Sequence, residues 1–373
     1  MILFHGSQLR EIFRFPRNLE CLSLHRTDLH GLLLLRHYHM PRSTIAGIGF
    51  YVPDNVVTND DLSKKIDTSD QWIRERSGIR ERRYFTPGKD TVAGMGARAA
   101  EMAIERAGLT NDDIDFIIFA TLNPDYMFPG SGVLLQREMG MNKREIAALD
   151  IRAQCSGFIY SLSVADQFIK TGVYKNILVV GSEIHSSGLD FTDAGRDVTV
   201  LFGDGAGAVV VQAYEGEDRG ILTTKIHSDG EHAEKLAVLT PSGHKERHIT
   251  HEMIDDRSVY PVMQGRYVFK FAVEKFPQVI MEALNEQGLA PTDIDMFVPH
   301  QANLRIAEAV RQVLKLPEAK VHNNIMKYGN TTAASIPIAL NEAWELGKVK
   351  PGDLVCLAAF GSGFTWGSAL IRW

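Results

Sequence analysis

The chain has 373 residues, 45% of them hydrophobic, and a formal net charge of −6. That length accommodates two or three domains or one large duplicated fold with a sizeable core. The acidic balance argues against a general nucleic-acid binder, which would carry a basic field. No apolar run approaches the roughly 20 residues that span a bilayer, so no membrane partner is expected.

The three cysteines, Cys21, Cys155 and Cys356, are too few and too uneven for a disulfide framework. They point to a reducing compartment, the cytoplasm. Residues 1–39 are rich in Arg and His without a signal-peptide core, and a regular β-like pattern begins only at Ser43. Residues 1–41 are therefore read as an N-terminal extension: a mis-called start with Met40 as the true one, a disordered tail, or an organelle-targeting segment.

Next along the chain, Trp72-Ile-Arg-Glu-Arg76 sets an aromatic face among guanidinium groups. That suits an adenine ring and phosphates, and equally a solvated basic helix. Val92 to Arg106 carries apolar residues at helical spacing and stops at Gly108, and Phe116–Ala120 is a short apolar strand. Ser156 to Lys170 reads as a helix, and Ile177–Gly181 and Ala206–Val211 read as buried strands. The glycine run at Phe202–Ala208 lacks the Lys-Ser/Thr of a P-loop and the spacing of a dinucleotide fingerprint, so it is read as tight strand packing. His244, His248 and His251 lie in a charged loop with no carboxylate or thiol pattern to support a metal site.

Three polar residues stand apart, each beside an apolar run or at the start of a helix-like stretch: Cys155, His300 and Asn330. Together they are the parts of a thiolate nucleophile with electrostatic helpers. Cys155 is expected at a helix N-terminus, where the dipole lowers a thiol pKa. A neutral His300 has an Nε2 donor for a developing oxyanion, and Asn330 adds an uncharged amide donor. Asn330 also suits a helix N-cap. The turn Phe360–Gly367 lets the backbone approach a ligand, and the N–H of Ser362 is a second donor beside that of Cys155.

The chain also repeats. Gly108-Leu-Thr-Asn-Asp-Asp-Ile-Asp matches Gly288-Leu-Ala-Pro-Thr-Asp-Ile-Asp, and Cys155 precedes Thr171-Gly172 at the spacing by which Asn330 precedes Leu346-Gly347. Two copies of one α/β unit are expected, residues 42–216 carrying the Cys and 217–373 carrying the His and Asn. Cys155 and Asn330 should then be equivalent points that meet near the axis relating the halves.

With these motifs in hand, residues 43–373 resemble a β-ketoacyl-[acyl-carrier-protein] synthase III of the thiolase superfamily. The resemblance rests on Trp72-Ile-x-x-Arg76, Asp204 in Phe-Gly-Asp-Gly-Ala-Gly, Val298-Pro-His-Gln-Ala-Asn, Gly329-Asn-Thr and Gly363-Phe-Thr-Trp-Gly. It implies an α/β, duplicated five-layered α-β-α-β-α sandwich and a homodimer. It also implies condensation of an acyl-CoA primer with malonyl-acyl carrier protein, with no cofactor beyond the CoA thioester substrate. Cys155 would carry the acyl group, His300 and Asn330 would hold the enolate, and the amides of Cys155 and Ser362 would hold the tetrahedral oxyanion. Trp72 and Arg196 would flank the CoA adenine, Arg76 would approach its phosphates and Asn303 the pantetheine arm. Arg305 and Lys270 would meet the carrier protein, and Phe128 would close the acyl tunnel at the dimer interface.

Three departures stand out. Gln154-Cys-Ser replaces the usual Ala-Cys-Ala, Ser362 stands where Gly is common, and Ser186–Arg196 is about two residues longer than in acetyl-primed members. The last points to a longer or branched primer, and with it to a related condensing enzyme of a specialised pathway as the alternative. A papain-like hydrolase also uses Cys, His and Asn, but that fold has no internal duplication.

Overall fold

The structure, a computed structural model, describes residues Met40–Trp373. The expectations for residues 1–39 lie outside the described residues. Nine strands form two sheets. β1 (Arg42–Tyr51), β2 (Phe116–Ala120), β3 (Ala147–Ile151), β4 (Asn176–Glu183) and β5 (Gly205–Tyr214) make the first, in the order β1-β5-β4-β2-β3. β6 (Gly220–Ser228), β7 (Met296–Pro299), β8 (Leu354–Gly361) and β9 (Thr365–Arg372) make the second, in the order β7-β8-β9-β6. β2 pairs in parallel with both β3 and β4, and β7 with β8; the remaining neighbours are antiparallel.

Helix α1 (Asp70–Ser77) packs in a separate apolar cluster, and six helices cover the sheets: α2 (Val92–Arg106), α3 (Ser131–Glu138), α4 (Gly157–Lys170), α5 (Gly265–Glu286), α6 (Leu304–Val313) and α7 (Ser335–Glu345). Their apolar faces sort them into layers. α4 and α7 lie between the sheets: Leu162 and Leu340 share one core with Val179 of the first sheet and Leu357 of the second. A helix packed on two sides cannot keep a wide polar stripe, and Ser335 to Asn341 of α7 is buried residue by residue. α2 and α3 cover the outer face of the first sheet through Met95, Ala99 and Leu135, and α5 and α6 cover that of the second through Phe276, Ile280 and Val310. The result is the expected five-layered α-β-α-β-α sandwich.

Covering both faces of each sheet explains why β2 is buried at every position and reads as an unbroken apolar run. Each such side chain contributes about 1.5–3 kcal/mol. Truncating one in the central layer, as in Leu162→Ala, costs about 2–5 kcal/mol because neither sheet can collapse into the gap. The turn before α7 lies tight against the first sheet. Gly181 of β4 faces the turn before α7, and a Cβ there would lie 2.6 Å from the Ala333 carbonyl oxygen. Among the described residues no helix is long and apolar enough to cross a membrane.

Candidate active site

Cys155 sits in the turn Gln154–Ser156 that opens α4, after Gln154 in a left-handed conformation (φ 44°). The Ser156 hydroxyl fastens that turn, donating to the Ala153 carbonyl at 2.8 Å and meeting Thr365 Oγ1 at 2.7 Å. Cys155 is buried, and its sulfur accepts the backbone N–H groups of Ser362 and of Cys155 itself. Helix position had suggested a lowered thiol pKa. Burial instead pushes the thiol up to about 12, with a further push from the Glu183 carboxyl, and the two N–H groups offset only part of this.

His300 is the first residue after β7, its N–H held by the Ala358 carbonyl at 2.8 Å. Its Nδ1 lies 2.6 Å from Ser335 Oγ, at the first residue of α7, and that oxygen also accepts the Gln301 N–H at 3.4 Å. A serine hydroxyl can donate to Nδ1 while it accepts from Gln301, and in that tautomer the neutral ring carries its hydrogen on Nε2. That Nε2 is buried without a hydrogen-bond partner among the described residues. Burial, and secondarily the neighbouring His185, push the His300 pKa down to about 3, so the ring is neutral at physiological pH.

Asn330 is not a helix cap: α7 starts five residues later, behind Ala334. Its backbone bridges to the Phe202 segment through Asn330 N–H to the Leu201 carbonyl (2.8 Å) and Gly203 N–H to the Asn330 carbonyl (3.1 Å). Its Oδ1 accepts the Thr332 N–H at 2.9 Å, which turns the amide NH2 away from that bond. The expected equivalence of Cys155 and Asn330 also shifts. Ala333 precedes α7 by the same two residues as Cys155 precedes α4. Asn330 lies a turn earlier, because α4 is longer than α7 at its N-terminal end.

Cys155, His300 and Asn330 line one cavity of about 590 Å³, together with Phe202, Leu236 and Phe269. Trp72 and Arg76 of α1 line it too, as do Asn303 and Arg305 at the start of α6. Arg196 and Trp72 do not flank an open slot. The Arg196 guanidinium lies 4.9 Å from the Trp72 ring centroid, and that of Arg76 lies 4.5 Å from it. Arg196 is further held by the Asp67 carbonyl at 3.0 Å. Asn303 caps α6, accepting the Arg305 N–H at 2.9 Å and donating to the Arg76 carbonyl at 2.9 Å. Arg305 lies over Phe269, 5.7 Å from its centroid.

Lys270 is exposed on α5 and does not line the cavity. Phe128 is 86% exposed, beside exposed Tyr126 and Met127. Cys356 is fully buried in β8, as a core residue. His244, His248 and His251 are exposed and belong to no metal-competent group among the described residues.

The sequence reading missed two buried groups at the end of β4. Glu183 accepts the Leu122 N–H at 3.0 Å, the Thr121 hydroxyl at 3.1 Å and the Ala333 N–H, and burial pushes its pKa up to about 8. His185 lies tilted against Phe202, ring centroids 4.7 Å apart, and bonds Thr332 Oγ1 through Nε2. Both follow an apolar run, the same signal that singled out His300.

Two sheets clasping a buried pair of helices, with a cysteine at the mouth of one, define the thiolase-like fold. Family models described as 3-oxoacyl-[acyl-carrier-protein (ACP)] synthase III and its C-terminal part match residues 149–230 and 284–373. The β-ketoacyl-[acyl-carrier-protein] synthase III of Granulibacter bethesdensis is 46% identical over 336 residues, 89% of this chain and 100% of that protein. The protein of that name from Caldanaerobacter subterraneus subsp. tengcongensis is 45% identical, over 88% of this chain and 97% of its own. The crystal structure of 3-oxoacyl-[acyl-carrier-protein] synthase III from Aquifex aeolicus VF5 superposes with a TM-score of 0.81 at 44% identity, covering 89% of this chain and 100% of that one. The priming β-ketosynthase of the R1128 polyketide pathway superposes with a TM-score of 0.79 at 33% identity, covering 89% and 96%. The chain belongs to the β-ketoacyl-[acyl-carrier-protein] synthase III family.

Proposed function

We propose that the protein condenses an acyl-CoA primer with malonyl-acyl carrier protein, releasing CO2 and forming a 3-oxoacyl-acyl carrier protein that starts fatty acid synthesis. One observation carries this reading: Cys155, His300 and Asn330 share a cavity in which His300 keeps a buried, unpartnered Nε2. In the first step the Cys155 sulfur attacks the thioester carbonyl. The N–H groups of Cys155 and Ser362, which already point at the sulfur, take the oxyanion on the carbon joined to it. Collapse breaks the bond to CoA, whose sulfur leaves with the proton given up by Cys155. In the second step the malonyl carboxylate leaves as CO2 and its electron pair forms an enolate. His300 Nε2–H and the Asn330 amide hold the enolate oxygen, and neither carries a charge that would hold the carboxylate back. The enolate carbon then attacks the acyl-Cys155 carbonyl, and the Cys155 sulfur leaves.

At the cavity mouth, Trp72, Arg76, Arg196 and Asn303 receive the CoA nucleotide and pantetheine, the adenine displacing a guanidinium from the Trp72 ring. Arg305 and Lys270 meet the acidic carrier protein. The exposed Tyr126–Phe128 segment fits a dimer interface that closes the acyl tunnel. We place the enzyme in the cytoplasm, as a homodimer with no cofactor beyond its CoA substrate, and assign residues 42–216 and 217–373 to two related halves.

A longer or branched primer is a second reading. It is favoured by the length of the Ser186–Arg196 segment. A mass-spectrometric series of acyl-CoA chain lengths, scored for loading onto Cys155 and then for elongation by malonyl-acyl carrier protein, separates the two. Failure of every acyl-CoA to load Cys155 would overturn the assignment.

A further inference from the structure

Thr332 has a left-handed backbone (φ 51°), a conformation that β-branched residues rarely adopt. Such a residue persists only where its surroundings hold it. Here the hold comes from the end of β4. The Glu183 carboxyl accepts the Ala333 N–H, and the His185 Nε2 bonds the Thr332 hydroxyl. Thr332 in turn passes its own N–H to Asn330 Oδ1 at 2.9 Å. His185 also reaches the segment that pairs with Asn330, because its ring lies 4.7 Å from that of Phe202, which forms an isolated bridge with Asn330. His185 is itself fixed: its N–H and that of Ser186 both donate to the buried Asp204 carboxylate, at 2.7 and 3.0 Å.

We propose that His185 is a positioning residue for Asn330, aiming the carboxamide through Thr332 on one side and Phe202 on the other. It reaches no reacting atom. It acts by keeping Asn330 Oδ1 occupied by the Thr332 N–H, so that the NH2 group faces the cavity. This rests on the reading of Asn330 as an enolate donor. It predicts a selective defect, because the hydrogen bonds that run from His185 through Thr332 end on Asn330 and reach neither Cys155 nor Ser362.

The test compares His185→Leu, His185→Gln, Thr332→Val and Asn330→Ala in three measurements: burst acylation of Cys155 by acyl-CoA, kcat and KM for malonyl-acyl carrier protein decarboxylation, and thermal unfolding. His185→Leu should lower the decarboxylation kcat about 10- to 50-fold, the scale of a sub-ångström to ångström misplacement. KM and the acylation burst should stay within about twofold, the range of a change that leaves their contacts intact. His185→Gln, whose terminal amide can still meet the Thr332 hydroxyl, should recover most of the loss. Thr332→Val keeps β-branching but removes the hydroxyl, and should show the same split; it carries the test if His185→Leu does not fold. The proposal is overturned if His185→Leu and Thr332→Val decarboxylate at the native rate while Asn330→Ala does not. It is also overturned if acylation falls in parallel, or if Gln is no better than Leu. Native decarboxylation by Asn330→Ala would instead remove the enolate reading beneath it.

Discussion

Gly361 lies against Cys155 so closely that a Cβ on it would come 2.5 Å from the cysteine Cβ and 3.0 Å from its sulfur. The end of β8 thus sets how far Cys155 stands from the wall. Gly361→Ala should displace Cys155 and slow acylation by about tenfold or more. Overpacking should also cost about 1–3 kcal/mol of stability. Single-turnover acylation and thermal unfolding measure the two effects, and a native acylation rate would show that the wall gives way.

Cys155→Ser should abolish acyl transfer from CoA, since a hydroxyl with no adjacent general base is a far weaker nucleophile than a thiolate. Persistent labelling by radioactive acyl-CoA would place the covalent intermediate elsewhere.

His300→Ala should lower malonyl decarboxylation by about 100- to 1000-fold, the usual effect of deleting one oxyanion donor. Loading of Cys155 should be spared. A decarboxylation assay on the pre-acylated variant reads this directly; turnover at the native rate would remove His300 from the enolate.

With its pKa pushed up to about 12, the Cys155 thiol is protonated at neutral pH, and its thiolate fraction grows tenfold per pH unit. Alkylation of the free enzyme by iodoacetamide should therefore climb about tenfold per unit between about pH 6 and 8. Above that range the slope should soften, as Glu183, whose pKa is about 8, gains charge beside the sulfur. His300, neutral above about 3, should leave no inflection. A plateau below pH 8 would mean a thiol that ionises near neutrality.

Arg305→Glu should weaken carrier-protein binding more than CoA binding. An exposed docking charge acts through long-range attraction, so the native enzyme's affinity for the carrier should also fall with added salt. Equal losses for both ligands, measured by calorimetry, would take Arg305 out of the docking surface.

Much of the fold was legible because its signals are local. Helix Val92–Arg106 and strand Phe116–Ala120 appear at the expected bounds, the first capped by the Thr91 side chain on Gly94 N–H. The trio was legible because each member follows an apolar run or opens a small-residue stretch. The Cys155 ionisation was not, because burial between two sheets depends on layers assembled from the whole chain. Nor was the contact of Arg196 with Trp72, which joins segments far apart in sequence. Glu183 and His185 carried the right signal without a partner to make sense of it. Their role appears only with the left-handed Thr332, whose neighbours Thr331, Ala333 and Ala334 read as an ordinary helix start.

Gly181 leaves no room for a side chain between β4 and Ala333, and Gly157 at the head of α4 would place a Cβ 3.4 Å from that of Ala333. Main chain therefore rests on main chain where β4 meets the turn before α7, like a hard stop in a jig. Nothing pliable is left there to tune, so a change of substrate in this scaffold has to be written farther out, in replaceable lining such as Leu236, Met263 and Phe269.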